Sequence, residues 1–99
     1  MKLIVAIVRP FTIEKILMAF EGIEAFPGMT VTEAAGFGRG DRSAAYDALN
    51  PFKPYKRIEI AAGDDVIDEI VETIRTNAHT GRKGDGLVWV LPIEEAVLI

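Results

Sequence analysis

The chain carries one apolar stripe twice: Ile13, Ile16, Leu17 and Phe20 recur at i, i+3, i+4 and i+7, and Ile67, Ile70, Val71 and Ile74 repeat that spacing. This is the one-face period of an amphipathic helix, so two stretches are committed to helices that must each bury one side. Strand-like segments bracket both. Leu3–Val8 is a continuous run rich in Ile and Val, suited to the middle of a sheet, and Arg9-Pro10 ends it. Thr12 is the candidate N-cap of the first helix, with Glu14 in its first turn, and Gly22 closes it. After the Pro27-Gly28 turn, Met29–Phe37 reads as a second strand, with Met29, Val31 and, by alternation, Glu33 on one face and the threonines on the other. Tyr55–Ala62 is the third strand, with Ile58 and Ile60 on one face and Glu59 on the other. Asp64 is the candidate N-cap of the second helix, with Asp65, Asp68 and Glu69 in its N-terminal turns and Arg75 near its C-terminal end, as the helix dipole prefers. Leu87–Leu91 is the fourth strand, and Ala96–Ile99 reads as a further short edge strand.

Two similar halves of this kind predict an α+β fold, a ferredoxin-like βαββαβ sandwich with a four-stranded antiparallel sheet and both helices on one face. Residues 1–99 form one domain on this reading. The strands are apolar on both faces and 49% of the residues are hydrophobic, so the uncovered face is expected to pack against further copies of the chain. A net charge of -4 opposes nucleic acid and anionic lipid, and no nucleic-acid partner is expected. The absence of cysteine removes disulfides, thiolate catalysis and Cys-based metal sites. Leu3–Val8 is shorter than a signal-peptide core, and no run reaches the roughly 20 apolar residues of a membrane span, so a cytoplasmic protein is expected.

Two glycine-rich turns draw attention. Gly36-Phe37-Gly38-Arg39-Gly40 follows one strand and Gly81-Arg82-Lys83-Gly84-Asp85-Gly86 precedes another. Each pairs backbone N–H groups with cations, the usual means of holding phosphate, although neither matches a Walker or dinucleotide fingerprint and each alone could simply make a turn. Gly38–Pro54 has no sustained period and is a long loop. It is either a solvated loop or an arm that docks into a partner, with Arg42, Tyr46, Leu49, Phe52 and Tyr55 as candidate contacts. His79, the only histidine, reads as an ordinary residue at a helix C-terminus, and the acidic residues from Asp64 to Glu72 read as a solvated helix face.

In order and spacing, Gly28-Met29-Thr30-Val31-Thr32-Glu33, Gly36-Phe37-Gly38-Arg39, Ile58-Glu59-Ile60 and the Thr80–Gly86 run resemble the PII signal-transduction proteins over essentially the whole chain. The resemblance implies a homotrimer that binds adenine nucleotide in clefts between subunits and uses a long T-loop, here at about 38–54, to regulate a target protein. It implies that Thr30 contacts the adenine, with Glu59 near the base, while Gly28, Met29, Gly36, Phe37 and Gly38 line the base and ribose. Arg39 would face the phosphates, and Gly84, Asp85 and Gly86 would form the phosphate turn. Replacing Gly86 with a bulky residue is therefore expected to abolish nucleotide binding and leave the trimer intact.

The departures from that pattern also have consequences. Gly40 stands where the resemblance would have a glutamine, Tyr55 where it would have a lysine, and Leu87 and Leu98 where it would have further cations. Fewer cations weaken triphosphate binding most, so ADP or AMP is expected to be favoured, with ATP possible. Magnesium is not assigned, and 2-oxoglutarate sensing is not expected. The shortened loop and the Phe26-Pro27-Gly28 turn resemble a divergent branch associated with membrane transporters for bicarbonate or cation efflux, which makes bicarbonate or another small anion a candidate second ligand. No catalytic residue is assigned, and no enzyme is expected. The alternatives are a metal-tolerance protein of the same architecture that binds no nucleotide, with a carboxylate-based site, and a weak nucleotide hydrolase using Asp85.

Overall fold

A computed structural model describes residues 1–38 and 51–99. The elements run β1 (Lys2–Val8), a 3-10 turn at Pro10–Thr12, α1 (Ile13–Phe20), β2 (Thr30–Gly36), β3 (Lys53–Ala62), α2 (Ile67–Ala78) and β4 (Gly86–Pro92). The strands lie in the order β2-β3-β1-β4, with every neighbouring pair antiparallel. This is the expected ferredoxin-like βαββαβ sandwich. The two halves interleave, so β1 and β3 are central while β2 and β4 form opposite edges.

The register sorts the side chains into two faces. One row across the sheet is Val31, Ile58, Ala6 and Val88, and the next is Thr30, Glu59, Val5 and Trp89. The first row belongs to the helix face, where Ile4, Ala6, Val8, Ile58 and Ile60 pack against Ile16, Phe20, Ile70 and Ile74. Phe20 also stacks on Phe26 with ring centroids 4.5 Å apart. The opposite face carries Leu3, Val5, Ile7, Leu87, Trp89 and Leu91 with no helix over it. Val5 is fully buried there, but Leu87 at the sheet edge is 67% exposed. An apolar face of this kind is unusual for a free monomer.

Several element ends differ from the sequence reading, each for a tertiary reason. Thr12 does not cap α1 with its side chain. Pro10 starts a 3-10 turn ahead of the helix, and the buried Thr12 hydroxyl donates back to the Arg9 carbonyl at 2.8 Å. Asp64 does not cap α2, which begins only at Ile67. Its carboxylate is drawn to the start of β1, accepting from Lys2 Nζ at 3.0 Å and lying 3.4 Å from the chain's N-terminal amine. The side-chain hydrogen bond from Lys2 is the main reason its pKa is lowered.

Glu33 follows Val31 onto the same face but is exposed and pairs with Lys56 at 3.2 Å instead of joining the core. β3 starts earlier than expected, at Lys53, because Pro54 is tolerated next to a strand end. Ala96–Ile99 forms no strand: the Ile93 N–H reaches the Met1 carbonyl at 3.2 Å, and the residues beyond lie exposed. No helix among the described residues is long and apolar enough to cross a membrane.

Candidate functional site

The turn between α2 and β4 is built around one carboxylate. Asp85 Oδ2 accepts from the Thr80 N–H at 2.7 Å and the Gly81 N–H at 3.1 Å, while Oδ1 accepts from Arg9 Nε at 3.2 Å and from the Thr80 hydroxyl. Arg9 Nη2 donates to the Lys83 carbonyl at 2.8 Å, which ties the turn to the end of β1 a second time. Burial of Asp85 acts to raise its pKa, but the hydrogen bonds from Thr80, Arg9 and Gly81 outweigh it and bring the group down to about 2. The sequence reading placed Asp85 in the phosphate turn and, on that ground, kept a weak nucleotide hydrolase as an alternative. Its oxygens instead hold the turn's own donors, and so acidic a group makes a poor general base near neutral pH.

Gly81 and Gly84 take positive φ of 87° and 83°, which lets the chain reverse tightly between Arg82 and Lys83 on one side and Asp85 on the other. Gly86 has a different duty. A Cβ there would fall 1.9 Å from the Ile7 carbonyl oxygen, and its φ is 134°, so glycine is needed to let β4 close against β1. The expectation that a bulky residue at Gly86 would affect binding alone is corrected: such a residue strikes the sheet backbone first. The cleft beside the turn, about 140 Å³ in volume, is walled by Ile7, Val8, Ile74, Ala78, Leu87 and Val88, with Arg75, His79 and Asp85 as its charged or polar members.

The second glycine segment meets the first through Tyr55. A Cβ on Gly36 would lie 2.9 Å from two carbons of the Tyr55 ring, so the ring lies against bare backbone. The Tyr55 hydroxyl donates to the Gly84 carbonyl at 3.1 Å. Gly38 has no such neighbour among the described residues. Phe37 and Phe52 face each other at 6.1 Å, so two side chains assigned separately, one to nucleotide and one to a partner, form a pair at the feet of the loop.

Gly28, Met29 and Thr30 lie at the far end of β2 from Gly36, roughly 20 Å along the strand. Thr30 is in register with Glu59, which accepts from Arg57 at 3.3 Å on the uncovered face. Gly36–Gly38 and Gly84–Gly86 thus gather at one end of the sheet, while Gly28–Thr30 and Glu59 gather elsewhere, with Thr30 on the opposite edge from the glycine turn. Arg39, Arg42, Tyr46 and Leu49 lie outside the described residues. His79 ends α2, is exposed, and stands 3.8 Å from Asp85 through Nδ1. Arg9 and Tyr55 are organisers that the sequence reading missed: it used Arg9 only as a strand end and Tyr55 only as a lost lysine or loop contact. Their partners lie 76 and 29 residues away, beyond any local pattern.

Fold and site together define a small ferredoxin-like domain with glycine turns at the end of its sheet. The family model described as nitrogen regulatory protein P-II matches residues 1–99. A nitrogen regulatory protein P-II of Bradyrhizobium diazoefficiens is 42% identical over 105 residues, spanning all of this chain and 91% of the relative. One from Azospirillum brasilense is 40% identical, and nitrogen regulatory protein GlnK of Escherichia coli K12 is 36% identical, both with the same coverage. The chain belongs to the PII family. It is a signal-transduction regulator by class, from a family that is regulatory and not enzymatic, and for which a trimer is the expected assembly.

Proposed function

We propose that the chain is a homotrimeric nucleotide sensor that binds an adenine nucleotide in clefts shared between subunits and uses its T-loop to regulate a target protein. The observation that carries this reading is the glycine turn, held in shape by Asp85 and Arg9 and carrying Arg82 and Lys83. A preshaped turn with adjacent cations suits an anionic group. The separation of Thr30 from that turn supports a shared cleft, because a single nucleotide contacting both would have to draw them from two copies. The apolar face of Leu3, Ile7, Leu87 and Trp89 supplies a surface on which copies can meet.

The preferred ligand on this reading is ADP or AMP, with ATP weaker. Leu87 is the residue after the turn and is apolar and exposed, and Tyr55 offers a neutral hydroxyl already committed to Gly84. Neither supplies a charge for a third phosphate. The target is a membrane transporter for bicarbonate or a cation, with bicarbonate or a similar small anion as second ligand. This part rests on the resemblance of the loop and of the Phe26-Pro27-Gly28 turn.

Calorimetric titration with ATP, ADP and AMP, each with and without magnesium, 2-oxoglutarate and bicarbonate, tests the proposal. Saturable binding near one nucleotide per subunit, tighter for ADP or AMP, is expected. The absence of heat with every nucleotide, from a folded trimer, would overturn it.

A further inference from the structure

We infer that Tyr55 is a positioning residue that locks the shape of the glycine turn to the two strands leading into and out of the loop. The ring rests on Gly36 at the end of β2, the backbone of Tyr55 belongs to the start of β3, and the hydroxyl holds the Gly84 carbonyl of the turn. One side chain therefore joins the paired ends of β2 and β3 to a turn that the sheet order sets apart from them, since β1 lies between β3 and the edge strand β4.

The geometry makes this a strut with two ends. At one end Gly36 must stay glycine, because a Cβ would enter the ring at 2.9 Å and lever it away. At the other, the Gly84 carbonyl sits between the Lys83 carbonyl, held by Arg9, and the Asp85 carboxylate, held by four donors. Arg9 and Asp85 fasten the turn to β1 and to its own start; only Tyr55, among these, connects it to β2 and β3. A displacement of the β2 and β3 ends is thus felt at Gly84 through a single hydrogen bond, and a ligand seated on the turn is felt at Gly36 in return.

The inference deepens the proposed nucleotide reading and in part rests on it, so the test has an arm that needs no ligand. Tyr55→Phe removes the hydroxyl and keeps the ring on Gly36, whereas Gly36→Ala keeps the hydroxyl and displaces the ring. In the free protein, amide hydrogen exchange at Thr80 and Gly81, whose N–H groups the Asp85 carboxylate holds, should quicken about three- to tenfold in both variants, the worth of one hydrogen bond, and no further in the double variant. In the second arm, ADP affinity should fall by a similar factor in each single variant, again without adding in the double.

Unchanged exchange in Tyr55→Phe, or losses that add in the double variant, would overturn the strut. Should Gly36→Ala not fold, Tyr55→Phe alone decides, by exchange at Thr80 and Gly81 against unchanged exchange in the distant core at Ile70. If wild-type protein binds no nucleotide, the nucleotide reading fails, while the exchange arm still decides the strut.

Discussion

Replacing Asp85 with asparagine removes a charge and turns one of two acceptor oxygens into a donor. Because each oxygen serves two donors, either orientation of the amide leaves two of them facing N–H groups: the Thr80 and Gly81 amides on one side, or Arg9 and the Thr80 hydroxyl on the other. The ionised carboxylate is held at about 2, against roughly 3.9 in an unfolded chain, and contributes on the order of 2 kcal/mol. Donors left facing donors add to the loss, so Asp85→Asn should destabilise by about 2–4 kcal/mol at neutral pH. A folded-state pKa below the unfolded one gives stabilisation that is complete above roughly pH 4 and is lost as pH falls toward 2. The variant has no such contribution to lose, so the gap between the two proteins should narrow by about 2 kcal/mol near pH 2, leaving about 0–2 kcal/mol.

Urea unfolding followed by the fluorescence of Trp89, the single tryptophan, measures this at several pH values. Repeating it at several chain concentrations separates dissociation of the assembly from unfolding. A gap that stays constant from pH 7 to pH 2, or a variant as stable as wild type, would refute the assignment of Asp85 as the charged centre of the turn.

Gly86→Ala should cost at least about 3 kcal/mol or prevent folding, since its Cβ would overlap the Ile7 carbonyl at 1.9 Å; a melting temperature equal to wild type would contradict this. Phe20→Ala empties a fully buried site stacked on Phe26 and should lower stability by about 3–5 kcal/mol in urea titrations. Trp89→Glu places a charge in the middle of the uncovered sheet face and should convert the assembly to monomers in sedimentation, with secondary structure retained in circular dichroism.

The helices and strands were legible because their evidence is local. Each stripe repeats over two turns, and the runs Leu3–Val8 and Leu87–Leu91 are strand-forming in any context. Element ends were less legible, because competition across the fold decides them: Lys2 and the chain start take the carboxylate that would have capped α2. Ala96–Ile99 shows the same limit, since strand propensity by itself makes no strand.

For the site, the glycines announced the turns, but what they do could not be read from their spacing. Gly86 is required by a neighbouring strand, Gly36 by an aromatic ring and Gly38 by nothing among the described residues. Arg9 and Tyr55 carry no local signature at all, because each acquires its role only when the sheet brings distant segments together.

The order β2-β3-β1-β4 puts Thr30 and the glycine turn on opposite margins of each chain. A ligand that needs both margins is held by two chains, neither of which owns it. Damage at one margin is then a fault of the ring, not of the molecule that carries it. Two chains, one spoiled at Thr30 and the other in the glycine turn, would each be silent alone, yet mixed rings would bring an intact margin of one against an intact margin of the other and restore a working cleft. On the proposed shared-cleft reading the two defects would complement in a cell expressing both, and a single defective chain diluted among good ones would silence only the junction to which it brings its damaged margin.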